Sequence, residues 1–344
     1  MASVVSFLMQ NACAGIRYRL RRELFGESPD SADMTALQEE VLAQPNVRRL
    51  LARRHPDGWI GRELHGGEGL DGSVDALLRA GVERTSPVLQ GVVPAVLHPS
   101  VNPAYRPTFH GGEALDRSGL GGNRSVAAQV LAQLGAEDNA PVRSEVDAAL
   151  RCFEEALRYR SVDDFTAKDR QGRRFYKPGL RFPGANHLHL LACTTGWRSA
   201  SAVAAVRESF RHCTALMSET RETVFLKSGH LIGPFCFNWH LPEFCESDME
   251  TPYAFIFFVR ELERLAGLAF LTDQLRGAYD TLWTLAAGRA VVERQSESSL
   301  RRLRRFAVEP YWRTPENRLC DLLFFALPAL YRAGYDVAQL EKGD

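Results

Sequence analysis

Along the chain, a turn rich in Gly, Asn, His or Pro repeatedly opens an apolar stretch with helical spacing. An amphipathic stretch rich in Arg and Glu then follows. The openings fall at residues 64–73, 121–125, 184–189, 251–253 and 316–320, which are 57–67 residues apart. A period of that length predicts an array of two-helix units, none able to bury its apolar face alone. In a closed ring of such units, the first helix of each pair lines the centre and the second faces solvent. The expected class is all-α, an (α/α) toroid of about five to six helix pairs with long loops over a central cavity. The expected organisation is a single domain over 1–344, with 1–56 as its N-terminal outer helices.

Residues 7–25 read as an amphipathic helix ending at Gly26, and Ser31 or Asp33 can cap the next one, which Pro45 interrupts. The run His55-Pro56-Asp57-Gly58-Trp59 is strong turn chemistry. Short helices are expected over 73–80 and 88–97, the latter with Pro87 in its first turn. Apolar helices over 125–134 and 185–195 each precede an amphipathic one, over 141–159 and 199–217. The longest apolar helix is expected over 251–271, followed by 274–287, a short basic helix over 298–306 and a buried one over 317–332. Sustained period-two alternation is absent, so no strands are expected. The connections 98–122, 161–183 and 227–250 are long and carry aromatic residues, which suits loops folded over a surface.

Composition narrows the classes. Lys+Arg and Asp+Glu are both 42, so no charge asymmetry points to nucleic acid or an anionic membrane. Only Lys168, Lys177, Lys227 and Lys342 are lysines, and Arg supplies the remaining cations. No stretch approaches the roughly 18 uninterrupted apolar residues of a membrane span, and residues 1–10 lack the pattern of a secretory leader. Seven Cys, an odd number scattered through expected helices, suit reduced, buried small hydrophobes in a cytoplasm.

Residues 44–61 end in Arg54-His55-Pro56-Asp57-Gly58-Trp59-Ile60-Gly61. This resembles the Gln-x-x-x-Gly-x-Trp repeat of squalene–hopene cyclases and other toroids of the terpenoid cyclase and protein prenyltransferase superfamily, without the usual Gln. The order of helix, Asp-Gly-Trp, His-Gly and short helix also looks like that of small bacterial members of the superfamily. So does the ending Tyr311-Trp312-Arg313-Thr314, Cys320-Asp321-Leu322-Leu323-Phe324 and Tyr331-Arg332-Ala333-Gly334. The resemblance implies inner and outer helices around a cavity, and it carries no reaction. Neither an Asp-x-Asp-Asp acid nor an Asp-Asp-x-x-Asp diphosphate-binding motif is present; Asp163-Asp164 is the one Asp pair.

Five places carry candidate chemistry. His65, in Gly61-Arg62-Glu63-Leu64-His65-Gly66-Gly67, precedes an expected inner helix and suits general acid or base work; the alternative is a turn His packed on Trp59. His187 and His189 open the helix after Gly184, two residues apart, so on a helix they diverge by about 200° and cannot share a metal. One is expected to face the cavity and the other its wall, while Gly184 and Asn186 offer a helix start for an anion or simply a cap. Residues 235–245 combine Cys236, His240 and Cys245 with Phe235, Phe237, Trp239 and Phe244. Paired Cys knuckles are missing, so a lid with His240 or Glu243 facing inward is favoured over zinc. His110 in the Gly-rich 109–112 turn and Arg124 at a helix start suggest an anion site, or Arg124 pairs with a carboxylate. Asp321 lies in the apolar run 319–330 beside Trp312 and Arg313, and needs either an ion pair to Arg313 or Arg318 or the solvent of a cavity.

The leading expectation is an enzyme with one central pocket and a small-molecule ligand, with no cofactor and no nucleic-acid partner. His65, His187, His189, His240 and Asp321 are its candidate catalytic groups. Trp59, Tyr176, Trp239 and Trp312 would wall a small apolar or cyclic substrate, with Arg124, Glu243 and Arg313 as polar contacts. Acid–base cyclisation, isomerisation or elimination fits these residues better than hydride or phosphoryl transfer. Two alternatives stand beside it. One is a non-catalytic toroid that binds a ligand or peptide. The other is a carbohydrate-active toroid, for which Glu63, Glu68, Glu113 and Glu243 are loop carboxylates.

Overall fold

In the computed structural model the described residues are 3–220, 222–228, 231–234, 237–243, 254–287, 304–312 and 314–340. Helix accounts for 58% and strand for 5%, so the expected helical class holds, with one small sheet added to it. No described helix is long and apolar enough to cross a membrane. The chain resolves into two compact units. One comprises Met1–His55, Ser73–Leu89 and Pro242–Asp344; the other comprises Pro56–Gly72 and Gln90–Leu241.

The first unit is built on the helix Pro315–Arg332. Every residue from Cys320 to Leu330 is buried, which marks a helix surrounded on all sides rather than one lying on a surface. The helices Val4–Asn11, Ala14–Glu23, Ala254–Leu265 and Arg276–Ala287 pack against it. Thr314 caps its start, its side chain accepting from the Asn317 amide, and Pro315 occupies the first turn. Ala14–Glu23 also packs on Ala32–Ala43, which Ser31 caps as the sequence allows. Gly15 permits a close approach of Ala14–Glu23 to a different segment, since a Cβ at this position would stand 2.4 Å from the Ala80 carbonyl oxygen.

The helix expected over 7–25 is two helices. Its break at Ala12–Cys13 has a distant cause: the Cys13 amide donates to Glu309 Oε1 at 2.7 Å instead of continuing the ladder. The longest apolar helix expected, 251–271, is likewise shorter at its C-terminal end. Ala254–Leu265 stops ahead of Gly267, and a separate 3₁₀ turn covers Ala269–Leu271.

The second unit holds two successive helical hairpins. Asn123–Gln133 is followed by Ala140–Ala156, and Ala185–Cys193 by Ala200–Ser218. The two first helices pack on each other, the two second helices pack on each other, and Ala140–Ala156 also touches both first helices. Burial follows the sequence pattern. Asn123–Gln133 buries eight of its eleven residues, Asn123, Ser125 and Gln129 among them. Ala140–Ala156 buries a single stripe through Val142, Val146, Ala149, Phe153 and Ala156.

The connections differ from the strandless loops expected. Strands β1 (Thr166–Lys168), β2 (Arg174–Tyr176), β3 (Val224–Ser228) and β4 (Leu231–Pro234) form a sheet in that order, with β2 and β3 parallel and the other pairs antiparallel. Strands of three to five residues are too short to show period-two alternation, which is why the pattern missed them. The 98–122 connection also contains a short helix, Gly112–Arg117.

Candidate functional site

A polar arrangement made largely by local chain chemistry lies in residues 56–72. Gly58, at φ 99°, turns the chain where a Cβ would meet the Gly91 carbonyl oxygen at 1.9 Å. Trp59 is buried and stacks on Tyr105, with ring centroids 4.5 Å apart and planes within 6°. Asp57 fastens this stack: its Oδ2 accepts from the Tyr105 hydroxyl at 2.7 Å and from the Ser100 hydroxyl at 2.6 Å. The Arg106 amide then donates to the Arg62 carbonyl at 2.6 Å, tying the two loops at the next step.

From this anchored base, residues 63–71 form a loop closed on itself. The Leu70 amide donates to the Glu63 carbonyl at 2.8 Å and the Asp71 amide to the Leu64 carbonyl at 3.1 Å, while Leu64 and Leu70 are buried. Glycine is required just after it, because a Cβ at Gly72 would stand 2.2 Å from the Gly66 carbonyl oxygen. The loop carries His65 at its tip. His65 Nδ1 lies 2.6 Å from Asp71 Oδ2, while Asp71 Oδ1 accepts from the Gly66 amide at 3.0 Å and from the Gly72 amide at 2.6 Å. Asp71 also sits in the first turn of the helix Leu70–Arg79, where a negative charge is favoured. The imidazole is 48% exposed and rests against Phe109, centroids 4.8 Å apart.

A carboxylate on Nδ1 fixes the orientation of the ring and selects the tautomer with its proton on Nδ1, so exchange with a ligand falls to Nε2. An imidazole so held can take a proton at Nε2 and keep the resulting cation beside Asp71. Asp71 was absent from the candidates drawn from the sequence. Its signal was an Asp at the mouth of a helix six residues after a loop His, which no periodicity highlights.

The remaining candidates sit elsewhere. His187 is buried; burial pushes its imidazole down to about 4, and Nδ1 accepts the Gly184 amide at 3.2 Å. It is a neutral ring capping its own helix, and the Asn186 side chain donates to the Gly121 carbonyl at 2.9 Å. His189 is buried on the same helix. Trp239, 1% exposed, packs within 5.0–5.6 Å of Phe237, Phe210 and Phe182, a core position rather than a rim. Tyr176 joins that cluster through Phe182 and Phe165. His240 Nε2 is 3.1 Å from the Thr220 carbonyl oxygen, and Glu243 is exposed at the end of a 3₁₀ turn, Leu241–Glu243.

Arg124 takes the carboxylate option left open by its position. Its Nε lies 3.4 Å from Glu145 and 3.7 Å from Asp116. Asp321 and Trp312 are buried in the first unit, and among the described residues Asp321 accepts from the Val308 and Glu309 amides at 2.9 and 3.2 Å. Arg313, Cys236 and Cys245 lie outside the described residues. Among the described residues no group of three or more His, Cys, Asp or Glu is placed to hold a metal ion. Compared with protein-family models, with curated proteins and with solved structures, the chain finds no match.

Proposed function

We propose that the chain is an enzyme of acid–base type in which His65 transfers a proton to or from a small, apolar or cyclic substrate, in an isomerisation, cyclisation or elimination. The observation that carries this reading is the His65–Asp71 pair at 2.6 Å, on a loop built by glycines and presented half-exposed. His65 Nε2 removes the substrate proton, Asp71 stabilises the imidazolium, and the same nitrogen returns the proton to a second position or to a leaving group. Phe109 supplies an apolar wall beside the ring. The packing of the two helical hairpins, first helix on first and second on second, supports an α/α toroid similar to those of terpenoid cyclases as the scaffold.

The test is turnover of a panel of cyclic ketones, terpenoid alcohols and uronic-acid glycosides, followed by proton NMR in deuterated buffer. For a substrate that the wild type converts, His65→Ala should lower the rate about 10²–10⁴-fold and Asp71→Asn should lower it less, with the thermal midpoints preserved. Full activity in folded His65→Ala would refute the reading. A copurifying ligand that stays bound to that variant, with no turnover by the wild type, would favour a binding protein instead.

A further inference from the structure

In the first unit, the dipeptide Val308–Glu309 ties three separate stretches of chain together. Its two amides donate to Asp321 of the helix Pro315–Arg332, that of Val308 to Oδ1 at 2.9 Å and that of Glu309 to both oxygens at 3.2 Å. The Val308 carbonyl accepts from the Asn46 side chain at 2.8 Å and from the Cys13 thiol at 3.7 Å. Glu309 Oε1 accepts from the Cys13 amide at 2.7 Å, at the break between Val4–Asn11 and Ala14–Glu23. Packing is tight at the same point. A Cβ at Gly15 would stand 3.2 Å from the Val308 side chain, so the start of Ala14–Glu23 rests directly on the dipeptide.

The two side chains at this junction are acids placed where a charge is costly. Asp321 is 0% exposed and Glu309 5%. Arg17, on Ala14–Glu23, is the cation whose charge reaches Glu309. Its Nη2 is held by Glu40 of Ala32–Ala43 at 3.0 Å, and its Nε is buried without an acceptor among the described residues. The other groups facing the pair are the Trp312 indole beside Asp321 and the Cys13 thiol, which burial and the two carboxylates push up. Burial raises the Asp321 carboxyl to about 7, and it raises Glu309 as well. Once Glu309 is ionised, Asp321 has to release its proton beside an existing charge.

We propose that Glu309 and Asp321 form a proton-operated latch, which fixes Val308–Glu309 between Ala14–Glu23 and Pro315–Arg332 while it holds its protons, and which on ionisation expels the dipeptide and opens the helix break at Ala12–Cys13. The direction follows from linkage. In the open form water solvates both carboxylates, which then ionise near their ordinary value of about 4; in the closed form they ionise higher. Proton binding therefore favours the closed form, fully so below about pH 4. Between there and about pH 7, each pH unit shifts the balance toward the open form by up to about tenfold for Asp321 alone, and the shift levels off above. The latch involves neither His65 nor Asp71 and is read without any turnover.

The experiment is amide hydrogen exchange of the full chain over a pH series, corrected for the intrinsic exchange rate at each pH. In the wild type, protection at Cys13 and in the first turn of Ala14–Glu23 should fall by about tenfold or more between about pH 5 and pH 7 and level off above. The helix Ala140–Ala156 of the second unit should keep its protection over the same range. Asp321→Asn should remove most of the loss at Cys13, and adding Glu309→Gln should remove the rest. If these variants fail to fold, the wild type still decides. Labelling of the Cys13 thiol by N-ethylmaleimide, followed peptide by peptide and divided by the rate of glutathione at each pH, should rise over the same interval. Protection at Cys13 that is independent of pH, or that is lost equally in Asp321→Asn or in parallel with Ala140–Ala156, overturns the proposal. So does labelling of Cys13 that only follows glutathione.

Discussion

Asp321 is a buried carboxylate inside an apolar helix, and among the described residues its hydrogen-bond partners are the Val308 and Glu309 amides. Burial pushes its carboxyl up to about 7, and the charge of Glu309 acts in the same direction. The Val308 and Glu309 amides and the Trp312 indole favour the ionised form but do not offset the burial. Glu309, which takes the Cys13 amide, is raised by burial as well. A group that holds its proton more tightly folded than unfolded contributes stability at low pH and loses it as pH rises through the folded value. Unfolding free energy should therefore decline between about pH 4 and pH 7, with a slope of up to about 1.4 kcal/mol per pH unit for one proton. Asp321→Asn keeps an oxygen for the two amides and removes the charge. Urea unfolding at several pH values should show a flatter slope in the variant, and an unchanged slope would assign the proton to another group. At Trp239 the buried indole N–H has no acceptor among the described residues, and the side chain packs among Phe182, Phe210 and Phe237. Trp239→Ala should cost about 3–5 kcal/mol and Trp239→Phe much less. A phenylalanine variant as unstable as the alanine one would show that the N–H matters after all.

At the scale of elements, helices with their own start signals were the readable ones. Ser199 accepts from the Ala202 amide at 3.2 Å and opens Ala200–Ser218 where the sequence placed a helix over 199–217. Ser199→Ala should cost about 1 kcal/mol, seen as a lower urea midpoint with an unchanged slope. Elements broken by distant groups were not readable. The 88–97 helix is two pieces, Pro87–Gln90 and Val92–Leu97, interrupted at Gly91, whose carbonyl faces Gly58 across more than thirty residues. Gly58→Ala meets both that carbonyl and an unfavourable φ. It should destabilise the protein by well over the roughly 1 kcal/mol of an ordinary glycine replacement, and a near-neutral effect would show that the turn relaxes. The candidate site divides the same way. His65 was visible as a loop histidine among glycines, whereas Asp71 and Phe109 became its partners only when the loop closed.

At the scale of the molecule, the first unit draws on three separate stretches of chain and centres them on Pro315–Arg332. Truncation before Pro315 should abolish amide-exchange protection in Val4–Asn11, Ala14–Glu23 and Ala254–Leu265, which pack on that helix. Protection retained there would mean that the other helices suffice for one another. By itself, the sequence determined the helical class, the apolar-then-amphipathic order of the hairpins and most helix starts, because periodicity, caps and proline act within one or two turns of chain. It also determined the even balance of charge. Tertiary structure decided which polar groups meet: His65 with Asp71, Asp321 with two backbone amides, and Glu309 with the amide of Cys13. Each of those meetings depends on a loop closing or on helices packing side by side, and on burial that lowers the local dielectric. None of these can be read from the spacing of residues along a line.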